Sequence, residues 1–313
     1  MAVLFLALKA VAVLLAVAVP GYLLMKKKMI SEHCIPGFSK ILLFVCQPCL
    51  AIYSFSSLEF SGAVLLRLGI FALLIILIHA IMLGGAYLVL RKKSAEAIYR
   101  IITIGTTFGN CAFFGIPIIE ALMPNNASEL IVYTTVYAFV MNILGWTVGS
   151  AIISHDTKYI SLKQIFLNPA MFGVVIALII YVTGVDFPTE LDSMIEYTAR
   201  MATPLSMIVM GMRLATVGIT KIFSDIRIYL TVAVKQLLMP LVAFSIAMIF
   251  TGVDVELRRV FFVTCACPVA SIVLNFSEIV GKGQESAANL VLVSTILSIV
   301  TLPPLMFLLP LIA

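Results

Sequence analysis

Thr106-Thr107-Phe108-Gly109-Asn110-Cys111-Ala112-Phe113-Phe114-Gly115-Ile116-Pro117 interrupts an apolar run at its centre. Gly109, Gly115 and Pro117 are all poor helix residues, and Asn110 places a polar side chain among them. Pro117 lacks an N–H, so in a helix it frees the carbonyl four residues earlier, at Phe113. At membrane depth such backbone is tolerated only where it is buried in protein or lines a wet cavity. A half-helix starting there would offer free N–H groups and the positive end of its dipole to an anion. A second stretch, Cys267-Pro268-Val269-Ala270-Ser271 with Asn275 one turn on, has the same character. The plainer alternative is two proline kinks satisfied by neighbouring helices. Gly115, Pro117 and Pro268 are therefore expected to mark helix breaks.

The chain around these stretches is 313 residues long, 62% hydrophobic and 11% charged, with 20 Lys+Arg against 15 Asp+Glu. Its mean hydropathy is +1.17. A soluble domain carries about 25% charged residues, so this chain cannot coat a water-soluble fold of its size. The composition excludes nucleic-acid binding and intrinsic disorder, and implies a helical protein whose partner is the lipid bilayer. Breaks in apolarity predict ten spans: Ala2–Met25, Pro36–Phe55, Gly62–Leu90, Ala97–Met123, Ser128–Ile153, Leu167–Val182, Ile195–Val217, Ile226–Thr251, Leu257–Val280 and Ser286–Ile312. The first resembles a signal peptide, with Lys9 ahead of an apolar run. However, Lys26-Lys27-Lys28 follows it, as expected of a retained span anchored at its inner end.

With the N-terminus outside, fourteen of the twenty basic residues fall on the inner side, among them Lys26, Lys27, Lys28, Arg91, Lys92 and Lys93. Lys9, Arg67, Arg200, Arg258 and Arg259 fall outside, and Lys235 is left within a span. Ten spans with both termini outside are the expected topology.

An internal repeat is also legible. Pro48 and Pro204, His79 and Lys235, and Glu129 and Glu285 are each 156 residues apart, while Pro117 and Pro268 are 151 apart. Five spans per half, residues 1–155 and 156–313, would insert the second half upside down relative to the first. Such inverted repeats are a mark of secondary transporters with a midplane site between broken helices.

The string from Gly109 to Pro117 resembles the fourth-span signature of the auxin efflux carrier family, which includes plant PIN carriers and bacterial dicarboxylate (malate/malonate) permeases. Pro48 with Leu50, Asn168-Pro169, Pro204 with Gly211, Leu214 and Ala215, Lys235 with Pro240, and Pro268 extend the resemblance over essentially the whole chain. It implies a fold similar to bile-acid/sodium symporters. In that fold spans 1, 2, 6 and 7 form a scaffold, spans 3–5 and 8–10 form a transport bundle, and the broken spans 4 and 9 cross. By the same resemblance Asn110 contacts a substrate carboxylate and Pro268 marks the crossover. Plant members carry a proline where this chain has Gly109.

All fifteen acidic residues fall in loops or near span ends, whereas Lys235 and His79 fall within spans. A cation carrier would be expected to hold carboxylates at midplane, so the inventory favours an anionic solute with Lys235 and His79 as charge support. Snorkelling is a poor alternative for Lys235, so far from either span end; a ring N–H bonded to a local carbonyl is a reasonable one for His79. Gln47, Gly109, Cys111, Ser271 and Asn275 are the further candidates for the binding site, and Asn142 reads as interhelical glue. Cys46-Gln-Pro-Cys49 and Cys265/Cys267 lie in apolar runs without zinc-site spacing. No His begins an H-E-x-x-H motif, and there is no P-loop. The expectation is therefore a carrier, not an enzyme, with no cofactor and no metal. It would move a small organic anion by alternating access, a carboxylate by the family resemblance, with H⁺ or Na⁺ as coupling ion left open. A homodimer in the plasma membrane is the expected form. The rivals are a sodium-coupled symporter of the bile-acid type and a receptor or scaffold that does not transport.

Overall fold

Apolar sequence in a medium that cannot hydrogen-bond the backbone must satisfy its peptide groups internally, and helices do so segment by segment. The computed structural model describes residues 2–56, 58–156, 169–216 and 225–313, and its regular structure there is helical. Six helices among the described residues are long and apolar enough to cross a membrane. They are α1 (Ala2–Lys26), α2 (Glu32–Ser56), α3 (Gly62–Lys93), α6 (Glu129–Ser154), α10 (Ile226–Ile249) and α13 (Gln284–Leu311).

The other apolar segments are shorter or divided. Residues 97–123 form α4 (Ala97–Gly105) and α5 (Cys111–Leu122), and residues 255–280 form α11 (Val255–Ala266) and α12 (Ile272–Val280). Between them stand α7 (Pro169–Thr183), α8 (Thr189–Arg200) and α9 (Ala202–Thr216). The span expected to begin at Ile195 is instead divided: Ile195 lies in the middle of α8, a polar helix carrying Glu190, Asp192 and Glu196, and the more apolar α9 begins only at Ala202. Asn168, Lys158, Lys163 and Lys221 lie outside the described residues, as do the side chains of residues 126–128.

Proline shapes the long helices without breaking them. Pro48, Pro117 and Pro240 each follow a π-helical turn: Leu42–Cys46, Cys111–Gly115 and Val234–Leu238. A proline cannot serve the carbonyl four residues back, and a widened turn lets neighbouring donors take up such freed groups.

α1 packs along α9, and α2 along α7 and α8. Glycine sets the first contact: a Cβ at Gly211 would run into the Ala18 carbonyl, and one at Gly21 into that of Ile208. A second group joins α3, α6, α10 and α11, with α13 against α10 and α12. Phe71, Tyr133, Tyr137, Phe261 and Phe262 are buried in the main core. Large apolar side chains such as Phe5, Leu66, Leu73 and Val89 are exposed, as expected of helices whose outer face meets lipid.

Candidate binding site at the paired helix breaks

α4 ends at Gly105, and Thr106 caps it by returning its N–H to Ile102 O. The chain then runs unwound to Asn110 before α5 begins. The interruption therefore lies N-terminal to Gly115 and Pro117. Gly115 closes the π-turn of α5, and Pro117 stands in the turn after it, where the widened turn accommodates the missing N–H. In the other half, α11 ends at Ala266, Cys267 turns extended (φ −61, ψ 149), and α12 resumes after Ser271.

The two unwound pieces pair with each other. Gly109 and Val269 form an antiparallel bridge, in which Asn110 N donates to Pro268 O (2.7 Å) and Ala270 N donates to Phe108 O (3.0 Å). Backbone groups freed by the breaks are thereby satisfied. Asn110 itself lies at φ −78, ψ 63, and Cys111 N donates back to Gly109 O at 2.9 Å. That is an inverse γ-turn, which any L-residue can adopt.

Three buried side chains brace this pairing from behind. Lys235 is fully buried, and its Nζ donates to Cys265 O (2.8 Å) and Cys267 O (2.9 Å). A cation thus sits at the C-terminal end of α11, where the helix dipole favours it. The hydroxyl of Ser294 accepts from Val269 N (3.0 Å), and Gln236 Nε2 donates to Ser294 O (2.6 Å). Gly109 leaves room for the lysine head, since a Cβ there would stand 3.1 Å from Lys235 Nζ.

In front of the bridge is a cavity of about 350 Å³. Gln47, Gly109, Asn110, Cys111, Ser271 and Asn275 all line it, so six of the residues picked from sequence come together. Neither Asn110 nor Ser271 spends its side chain on capping the helix it precedes, which leaves both free to face the cavity. Asn142 lines the same wall while donating Nδ2 to Ala138 O (2.7 Å). No acidic or basic side chain lines this cavity among the described residues. Its polar character comes from neutral groups and from the N-terminal ends of α5 and α12.

Pro268 belongs to the bridge and Lys235 lies behind it; neither lines the cavity. His79 is elsewhere. Its Nδ1 donates to Ile75 O (2.8 Å), its ring packs on Phe108 and Tyr137, and it lines a different cavity between α3, α4 and α6.

Two residues at the site carried no sequence signal strong enough to single them out. Trp146 lines the cavity, and its indole N–H is buried without a hydrogen-bond partner among the described residues. It is the chain's one tryptophan, and a buried indole N–H ordinarily has an acceptor. Arg213 lines a narrower space of about 80 Å³ that shares Asn110, Ser271 and Asn275, and it pairs with Glu278 at 3.3 Å. Its position near a span end concealed it.

A family model described as "Membrane transport protein" matches residues 6–306. No curated protein matches the chain. A match over nearly the whole length, to a multi-pass helical protein, identifies the family: the chain belongs to the auxin efflux carrier family of membrane transport proteins.

Proposed function

We propose that the chain carries a small organic anion, a carboxylate, across the plasma membrane by alternating access. The observation that carries this reading is the cavity before the bridge: two helix N-termini and the neutral polar residues Asn110, Ser271 and Asn275 line it, with no carboxylate among the described residues. Such groups suit a carboxylate, because donors and dipole ends stabilise negative charge without a fixed cation that would hold it too long. Lys235 supports the site indirectly, by fixing the backbone that presents Gly109 and Asn110.

The architecture proposed with it has ten spans, both termini outside, and two inverted five-span repeats, residues 1–155 and 156–313. Spans 1, 2, 6 and 7 are the scaffold, and spans 3–5 and 8–10 the moving bundle. The close packing of α1 on α9 and of α2 on α7 supports the first grouping, and the pairing of the two breaks supports the second. The working form is proposed to be a homodimer.

Uptake of labelled organic acids into proteoliposomes tests the reading. Accumulation above empty liposomes is expected for at least one mono- or dicarboxylate, and should persist when Na⁺ is replaced by K⁺. Dependence on Na⁺ would favour a symporter of the bile-acid type. Specific binding without flux would identify a receptor and overturn the carrier assignment.

A further inference from the structure

A second cavity, of about 570 Å³, lies between α3, α4 and α6, away from the paired breaks. Its volume is within the range of small-molecule sites. Most of its wall is apolar, supplied by residues such as Ile76, Leu83, Tyr87 and Val148. Ile76, Tyr87 and Val148 are themselves about half exposed, so the cavity opens sideways, where lipid chains would lie.

Against this wall stands Arg100, one turn into α4 and only 6% exposed. Its Nε is buried without a partner, and among the described residues no hydrogen bond or ion pair engages its guanidinium. A buried unpaired guanidinium is costly, and among the described residues no ion pair offsets this one. Arg91 lines the mouth of the cavity, with Lys92 and Lys93 exposed beside it in the turn that ends α3. His155, held in a left-handed conformation (φ 59) just past α6, lies at the same end. Asp156 is the one acidic residue in the lining, and it has a partner of its own.

The lining thus has a cationic end and an apolar body open to the membrane. From Arg91 to His79 it extends twelve residues along α3, or about 18 Å at the helical rise. A soluble anion would use the cationic end alone and leave the apolar groove uncovered. Basic pockets between membrane helices suit anionic head groups.

We propose that this cavity binds an anionic phospholipid, its phosphate on Arg100 and Arg91 and an acyl chain along Ile76, Leu83 and Val148. The site is separate from the proposed substrate cavity and does not depend on its assignment.

The test uses the purified full chain in detergent, supplemented with phosphatidylglycerol, phosphatidylcholine or inorganic phosphate, and read by native mass spectrometry and thermal melting. Phosphatidylglycerol should be retained and should raise the melting temperature; phosphatidylcholine and phosphate should do neither. Arg100→Gln should weaken phosphatidylglycerol binding by about tenfold or more, as for loss of a charged hydrogen bond. Without lipid it should melt no lower than wild type, because the unpaired charge is gone. Ala151→Phe, which narrows the cavity and leaves Arg100 in place, should also lose the lipid. Equal retention of the two lipids, or undiminished phosphatidylglycerol binding by either variant, would overturn the proposal. Protection by phosphate alone equal to that by phosphatidylglycerol would make this a soluble-anion site and overturn the lipid assignment.

Discussion

Asn110→Ala and Asn110→Asp should separate the site from the fold. The backbone at 110 is held by main-chain bonds: its N–H to Pro268 O, and its carbonyl to Phe114 N at 3.2 Å. Its φ and ψ suit any L-residue, and its side chain does not cap α5. Alanine should therefore leave ligand-free melting within a degree or so of wild type. It deletes one neutral donor to a charged acceptor, worth about 1.5–3 kcal/mol, which is roughly a 10- to 150-fold rise in Kd. Aspartate acts in opposite directions on the two readouts. A carboxylate before α5 gains about 0.3–1 kcal/mol from the helix N-terminus, so the ligand-free protein should melt slightly higher. The same charge repels an anionic solute, so binding should be weaker than in the alanine variant. Calorimetric titration with an organic acid that stabilises the wild type provides both constants. Wild-type affinity in Asn110→Ala would remove Asn110 from the site, and wild-type affinity in Asn110→Asp would refute the anion.

Lys235→Met leaves the Cys265 and Cys267 carbonyls without their buried donor; at about 1–3 kcal/mol for each unsatisfied group, partly offset by relief of ammonium burial, its melting temperature should fall along with transport. Lys235→Arg keeps the charge but crowds Gly109, so partial activity is expected; a Met variant that melts and transports normally would refute the bracing role. A tag after Ala313 should be reachable from outside intact cells and a cysteine placed at Lys92 should not, and labelling of both from one side would refute the inverted topology. Asp225 caps α10 and accepts from Arg227 Nε (2.9 Å) and Nη2 (2.8 Å), and that guanidinium holds its carboxyl below the usual value of 3.8. A depressed folded-state value contributes stability above the unfolded value and loses it as pH falls through the folded one. Asp225→Asn should therefore flatten the melting curve below about pH 4 and lower stability modestly at neutral pH; unchanged acid sensitivity would refute the pairing.

The membrane class and the existence of both breaks were legible because they rest on local chemistry: long apolar runs, and Gly, Asn and Pro where a helix is weakest. The register of the first break was not. Pro117 looked like its cause, yet a π-turn absorbs that proline, while Gly109 and the bridge decide where the helix opens. Lys235 was legible as a buried cation, but its acceptors lie 30 and 32 residues away, on carbonyls that any residue type would present. His79 packs on Phe108 beside the bridge yet lines the other cavity, and no spacing rule encodes which of the two it meets. Trp146 and Arg213 became visible only when packing turned them inward.

The bridge between the two breaks is made of main-chain atoms alone, and this separates two demands on the sequence. Gly109, Pro268, Lys235 and Ser294 maintain the frame; Gln47, Asn110, Ser271 and Asn275 line the cavity, and the Asn110 and Ser271 side chains cap no helix. With the solute bound there as proposed, its preference can drift by single substitutions at positions that carry little folding burden, with no intermediate having to rebuild the scaffold. A chain arranged in this way can acquire a new cargo while remaining foldable at every step.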